Sequence, residues 1–348
     1  MRKIFLLATF SLFTLATFAQ DAAVKDMHNQ AARTGKADEK KSNKNWKTGG
    51  TFSVNFGQGG SRNWAAGAEK YSFSLAAYAS FYANRHVGKW NWNNTLDLGY
   101  AFVNTASQGV RKNDDKIDLF SKLGRDINPK LSIGLVGNFR SQFTNGYTYN
   151  YLGKYQRRIS GLFAPAYATI APGLDWHPNA NFSIFLSPVS ARTVIVTQQT
   201  KSYYFPGGVI PAADGGGYEL PMSTLYGVDP ARQVRMEIGS FASVNFNKEI
   251  MKNVSYKSRL DLYANYLPSY RFAAVGPDQL AITEVKPKPQ NVDVFWTNTI
   301  NMKVNKWLQV TYNFDLIYDD DVRQFGANKT SAAAQLRSLL GVGLAAKF

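Results

Sequence analysis

From Trp46 onward, apolar and polar residues alternate with the two-residue period of a half-buried strand. Trp46, Thr48, Gly50, Phe52, Val54 and Phe56 form one face, against Lys47, Gly49, Thr51, Ser53 and Asn55. The pattern returns in Tyr71–Phe81, in Trp90–Phe102, around Ile117, Leu119 and Leu123, and in Leu131–Phe143. It is poorest over Ser160–Trp176, where Pro165 and Pro172 interrupt it. The next strand starts with Phe182, Ile184 and Leu186 and loses phase at Pro188. A bulge there would restore the phase, with Val189, Ala191 and Ile195 outward and Arg192 inward. Val234–Phe246, Val254–Tyr266, Val292–Val304 and Leu308–Tyr318 follow, and Gln335–Phe348 is last, giving about twelve strands.

Short and long connections alternate. Turns are expected near Arg85–Lys89, Ile127–Lys130, His177–Ala180, Met251–Asn253 and Asn305–Trp307. Long loops are expected near Gly57–Trp64, Thr105–Asp114, Thr144–Arg158, Gln198–Arg232, Leu267–Gln290 and Asp319–Ala334. Such sorting, with an even strand count, predicts an all-β fold: a transmembrane antiparallel up-and-down β-barrel with short periplasmic turns and long external loops. Trp46, Trp90, Trp92, Trp176 and Trp307 all fall at the periplasmic ends, as an aromatic girdle would. The final strand ends on Phe348, which resembles the C-terminal insertion signal read by the barrel-assembly machinery. The pattern also fixes one register. If both neighbouring strands keep their apolar faces together, Val304 pairs with Leu308, the loop is Asn305-Lys306-Trp307, and Asp315 lies opposite Thr297.

Composition agrees with that reading. No long apolar run follows the N-terminus, which argues against membrane helices. Cys is absent, so no disulfide or thiolate metal site exists. The formal charge is +16, but the basic residues are scattered among aromatics and carboxylates, which argues against nucleic acid as a partner. Residues 1–19 read as a signal peptide, with Arg2 and Lys3 before an apolar run and Ala19 before the cut. Its removal lowers the charge by two, to +14. Residues 20–45 are polar and read as a mobile periplasmic leader; the barrel is assigned to 46–348.

Several segments resemble a Bacteroidota outer-membrane family known as domain of unknown function 3078. They are Asn63-Trp64-Ala65-Ala66-Gly67-Ala68-Glu69, Arg111-Lys112-Asn113-Asp114-Asp115, Ser141-Gln142-Phe143 with Gly146-Tyr147, Phe163-Ala164-Pro165-Ala166-Tyr167, and Ser187-Pro188 followed by Arg192-Thr193. The signal peptide ending Phe18-Ala19-Gln20 is similar to those of that phylum. The resemblance implies an outer-membrane barrel and supplies no biochemical activity.

Chemistry-bearing residues are sparse. Of three histidines, His28 lies in the leader, and His86 and His177 fall in periplasmic turns, away from the external rim where barrel enzymes work. An enzyme is therefore not expected, and no cofactor motif is present. Asp319-Asp320-Asp321 and Asn113-Asp114-Asp115 lack the spacing of a calcium loop and read as solvated loop carboxylates. Gly57-Gln58-Gly59-Gly60 and Gly215-Gly216-Gly217 complete no phosphate motif.

Lumen-facing charges say more. Lys116, Asp118, Lys122, Arg140, Arg192, Arg235, Glu237, Lys257, Arg259, Asp261 and Asp315 have inward parity. Each would cost about 2–4 kcal/mol facing lipid at mid-membrane. They either brace the barrel as ion pairs or line a path for a small polar or anionic solute. External loops carry Tyr147, Tyr149, Tyr151, Tyr155, Tyr203, Tyr204, Phe205, Tyr218, Tyr226, Tyr270 and Phe272, near Arg157, Arg158, Lys201 and Arg271. These either bind glycan, such as lipopolysaccharide sugars, or pack over the mouth. The expected function is passage or binding of a small solute through a gated lumen. The alternative is a non-conducting surface protein whose loops bind a partner or envelope glycan.

Overall fold

A computed structural model describes residues 46–62, 69–179, 181–197, 202–288, 291–305, 308–318 and 332–347. The expected signal peptide and leader, Trp307, Asp319-Asp320-Asp321 and Phe348 lie outside the described residues.

The wall begins with β1 (Trp46–Gly60), β2 (Tyr71–Val87), β3 (Trp90–Thr105), β4 (Gly109–Asn128) and β5 (Leu131–Ser141). A hairpin of β6 (Gly146–Tyr151) and β7 (Tyr155–Ser160) stands apart from it. The wall resumes with β8 (Ala166–Asn179), β9 (Phe182–Ile195), β10 (Val234–Met251) and β11 (Val254–Asn265). A second separate hairpin, β12 (Ser269–Gly276) and β13 (Gln279–Val285), precedes β14 (Asp293–Lys303), β15 (Leu308–Tyr318) and β16 (Gln335–Lys347). The twelve wall strands close into one barrel, in which each strand pairs antiparallel with its neighbours in the wall. The seam joins β1 to β16 through Phe52↔Ala346 and Val54↔Leu344. Closure leaves no free edge, so backbone donors and acceptors are met within the wall.

The side chains are sorted inside out relative to a soluble protein. Leu119, Leu135, Ile170, Leu186 and Leu344 each present about half of their surface outward, while Asp118, Glu237 and Asp261 are sealed inside. Only a nonpolar surround makes that distribution favourable, and the chain is a membrane-spanning β-barrel.

Two local expectations hold. Val304 N–H donates to the Leu308 carbonyl at 3.0 Å, and Thr297 lies opposite Asp315. At Pro188 the pairing moves from Phe241↔Ser187 to Gly239↔Ser190, which places an extra residue on β9. The bulge leaves Val189 exposed and Arg192 buried.

One expected long loop is much shorter, and another begins later in the chain. β3 and β4 pair out to Thr105↔Gly109, leaving residues 106–108 as the connection in place of Thr105–Asp114. β1 likewise pairs through Gly60↔Tyr71. These strand ends rise beyond the apolar band, where the hydrogen-bond ladder continues although side-chain alternation has stopped. The loops at Thr144–Arg158 and Leu267–Gln290 hold the two hairpins.

Glycines on the inner face make room for rings. A Cβ at Gly99 would lie 3.0 Å from the Tyr78 ring, and one at Gly173 2.7 Å from Phe185 Cζ. One at Gly239 would lie 2.9 Å from Tyr263 Cζ. Each ring packs across a neighbouring strand onto bare backbone, a cross-strand device that pins register.

The lipid-facing assignment of Leu135 has a direct consequence. Leu135→Arg is expected to lower folding stability by about 2–4 kcal/mol in a bilayer. Urea titration of the heat-modifiable folded band in lipid vesicles measures this, with the wild type as reference.

Candidate functional site

The inner face of β9, β10 and β11 carries a dense charge network. Arg192 and Glu237 are directly opposite across β9 and β10, so their side chains emerge on one face. Arg192 Nε donates to Glu237 Oε2, and Arg235 reaches the other oxygen of the same carboxylate. Arg192 also lies 3.7 Å from Asp293 and places its guanidinium 4.4 Å above the Tyr263 ring. On β11, Arg259 Nε donates to Asp261 Oδ1 at 2.7 Å and to Ser243 Oγ at 3.1 Å.

A second group lies on β4, β5 and β8. Asp118 and Arg140 are opposite each other, and Asn138 bridges them. Its Nδ2 donates to Asp118 Oδ1 at 2.7 Å, and its Oδ1 accepts from Arg140 Nε at 2.8 Å. Lys122 pairs with Asp175. Lys116 is buried and Lys257 half-buried. Asp315 lies opposite Arg337 as well as Thr297 in the backbone register; its side chain is outside the described residues. Removing charges from water costs several kcal/mol per ion, so such a lumen is tolerated only when the charges hold one another.

Between these groups runs an apolar belt that the sequence reading missed. Phe120, Val136, Ala171, Phe185, Phe241 and Tyr263 form one buried cluster inside the barrel. Phe185 and Phe241 have ring centroids 6.2 Å apart. The signal was available: Phe120 shares parity with Asp118 and Lys122, so an aromatic at a polar-parity position marks a filled lumen.

The outer mouth is covered by an ordered loop, residues 202–233. Its Met222 and Val228 are fully buried against Ala164, Val194 and Val196, of which Val194 belongs to the inner face of β9. Met222 N–H donates to the Ser202 carbonyl at 2.9 Å, and Tyr226 Oη donates to the Ile159 carbonyl at 2.6 Å. The β6–β7 hairpin buttresses it. Tyr151 Oη donates to Glu219 Oε2 at 2.7 Å, and Arg157 lies 3.8 Å from the same carboxylate. Tyr155 Oη donates to Asp214 at 2.7 Å. Tyr204 packs between Tyr155 and Phe205, with centroids 5.3 and 4.9 Å away. Burial, followed by the hydrogen bond to Glu219, pushes the Tyr151 phenol up to about 12, so it stays a donor at physiological pH. Hydrogen bonds from Lys154 and Tyr155 hold Asp214 below the usual carboxylate range.

Three of the segments that carry the family resemblance, at Arg111–Asp115, Ser141–Phe143 and Phe163–Tyr167, meet beside this cap; Asn63–Ala68 lie outside the described residues. Asp115 accepts from Lys112 Nζ at 3.0 Å, from Phe143 N–H at 2.8 Å, and from Thr144 N–H at 2.7 Å. It is 3% exposed, so it is not the solvated loop carboxylate that the sequence suggested. The tight β3–β4 connection keeps it in the wall, where it clamps the end of β5. Gln142 Nε2 donates to the Ala164 carbonyl at 3.3 Å, and Phe163 N–H to Ser141 Oγ at 3.0 Å.

At the inner end, Trp46, Trp90, Trp92 and Trp176 are each between 37% and 50% exposed, on the lipid-facing side. Trp46 and Trp92 have centroids 5.4 Å apart, and Arg85 lies over Trp46. His86 and His177 sit at this end beside turns. Among the described residues, no group of three His, Asp or Glu is arranged to hold a metal ion.

Residues 56–147 match the family model described as "Protein of unknown function (DUF3078)", in agreement with the resemblance read from the sequence. No curated protein matches the chain. Among solved structures, the chain is similar to the translocator domain of autotransporter NalP from Neisseria meningitidis, at 7% identity and TM-score 0.37, over 89% of this chain and 90% of that one. It is similar to the COG4313 outer membrane channel from Pseudomonas putida F1, at 9% identity and TM-score 0.37, over 86% and 96%. It is also similar to a Pseudomonas aeruginosa FadL homologue, at 9% identity and TM-score 0.31, over 87% and 89%.

Glu237 holds two guanidinium groups at once, and its removal would leave both without that partner. Glu237→Ala is expected to destabilise the barrel by about 3–5 kcal/mol, the cost typical of breaking a buried pair. Urea unfolding in micelles, followed by tryptophan fluorescence, checks it; a loss under about 1 kcal/mol would place the pair among solvent-exposed bridges.

Proposed function

We propose that this protein is a closed outer-membrane barrel that works at its outer surface, where its loops bind an anionic envelope glycan. The observation that carries the reading is the seal at the mouth. Met222 and Val228 of the 202–233 loop are wholly buried against Val194 of the wall. A loop held by packing and buttressed by a hairpin is a platform, and platforms of this kind carry binding residues.

Above the seal the surface suits a sugar that bears phosphate or carboxylate. Tyr204, Tyr218 and Tyr270 expose ring surface; exposed Arg271 follows Tyr270, and exposed Lys154 lies over the ring of Tyr155, which packs against Tyr204. Aromatic faces cover the apolar side of a sugar ring, and guanidinium matches phosphate or carboxylate geometry. Lipopolysaccharide is the glycan such loops would meet first in that leaflet. The C-terminal strand β16 would engage the assembly machinery, and the four described periplasmic tryptophans would seat the barrel in the interface.

A second reading, gated passage of a small polar or anionic solute, is favoured by the open space inside the inner half of the barrel. It requires the cap to move, as lids do in other proteins.

The test is binding of purified lipopolysaccharide to the barrel in nanodiscs that lack it. The paired substitution Tyr204→Ala with Arg271→Ala is expected to weaken binding about tenfold or more, the effect of roughly 1.4 kcal/mol. An unchanged affinity, or no binding by the wild type, would contradict the reading.

A further inference from the structure

A cavity penetrates the inner half of the lumen, beneath the charge network. Asn84 and Asn93, opposite each other near the β2–β3 turn, stand at its rim. Phe120, Phe185 and Phe241 form an apolar wall. The cavity offers about 60 Å³ to the centres of water molecules. At roughly 10–15 Å³ per centre, it holds about five waters, or about 150 Å³ of molecular volume at ~30 Å³ each. That is the bulk of a monosaccharide-sized molecule.

The polar lining is unusual in what it leaves over. Thr95, Asn245 and Arg259 are each 5% exposed and line the cavity. Among the described residues, Thr95 Oγ1, Asn245 Oδ1 and Arg259 Nη1 have no hydrogen-bond partner, nor does Asn84 Oδ1 at the rim. Their orientation is set from behind. Ser243 Oγ accepts from Asn245 Nδ2 at 3.2 Å and from Arg259 Nε at 3.1 Å. Asn245 therefore keeps its acceptor, and Arg259 a spare donor, for the cavity. Buried polar groups of this kind are ordinarily satisfied, and leaving them unpaired is unfavourable.

We propose that this cavity is a binding site for a small polyhydroxylated molecule of monosaccharide size, entering from the periplasmic end. Hydroxyls would donate to Asn84 Oδ1 and Asn245 Oδ1, Thr95 would exchange a hydrogen bond with a third, and a ring or carboxylate oxygen would accept from Arg259. The Phe185–Phe241 wall covers the apolar face of the sugar ring. Neither the outer loops nor the cap takes part, so the site is independent of the surface reading.

The experiment is saturation-transfer NMR on the full barrel in an amine-oxide detergent, which carries no sugar headgroup, with glucose and glucuronate as probes. The expected result is saturable transfer in the millimolar range for at least one probe, reduced about tenfold by Asn245→Leu, and unchanged by Gln108→Ala in the exposed β3–β4 connection. Asn84→Leu at the rim gives the same reading should Asn245→Leu fail to fold. Stronger binding of glucuronate would identify Arg259 as a carboxylate contact, and equal binding a contact to a neutral oxygen; both support the site. No saturable transfer, leaving the cavity to water, would overturn it, as would transfer indifferent to both asparagine variants.

Discussion

Lipid on the outside leaves a charged side chain on a spanning strand one acceptable direction, inward. The rest of this barrel follows from that constraint. Charges placed inward at close quarters must hold one another, because an ion buried alone costs several kcal/mol. Arg192, Arg235 and Glu237 meet that demand on adjacent strands, Arg259 with Asp261 on one strand, and Lys122 with Asp175 across the lumen-facing wall. Phe120, Phe185, Phe241 and Tyr263 then fill the space the charges leave. Gly173 and Gly239 yield the backbone surface on which two of those rings lie.

The outer closure depends on the inner one. Val194 is both an inner-face residue of β9 and a floor for Met222 and Val228, so the cap rests on the wall at the level of Arg235. The β6–β7 hairpin adds hydrogen bonds through Tyr151 and Tyr155 and a half-buried aromatic stack. A mouth held this way presents its tyrosines and basic groups on a firm surface, which lowers the ordering cost of recognising a ligand.

Much of the wall was legible because a period of two is a strong signal when one face meets lipid and the other does not. The Asn305 connection, the Thr297–Asp315 register and the Pro188 bulge were readable for that reason: each is the one arrangement that keeps the apolar face continuous. Beyond the apolar band the signal fades, so β3 and β4 were read as ending short of Thr105↔Gly109. Inward aromatics carry a weaker signal than inward charges, because an aromatic is acceptable to lipid as well; Phe120 betrays itself only by sitting in phase between Asp118 and Lys122. The clamp at Asp115 was not legible, since its partners at Phe143 and Thr144 come from the segment just after the next strand. The 202–233 cap was not legible either: its buried residues, Met222 and Val228, follow no period and are chosen by what lies beneath them.

Conductance tests the closed, braced lumen most directly. Correctly folded wild-type protein in a planar bilayer is expected to give no steady current steps. Arg192→Ala, which frees Glu237 and Asp293 of one shared partner, is expected to raise the frequency of brief openings. Steady anion-selective steps from the wild type, with selectivity reversed by Arg235→Glu, would contradict the account and establish a basic conducting lumen in its place.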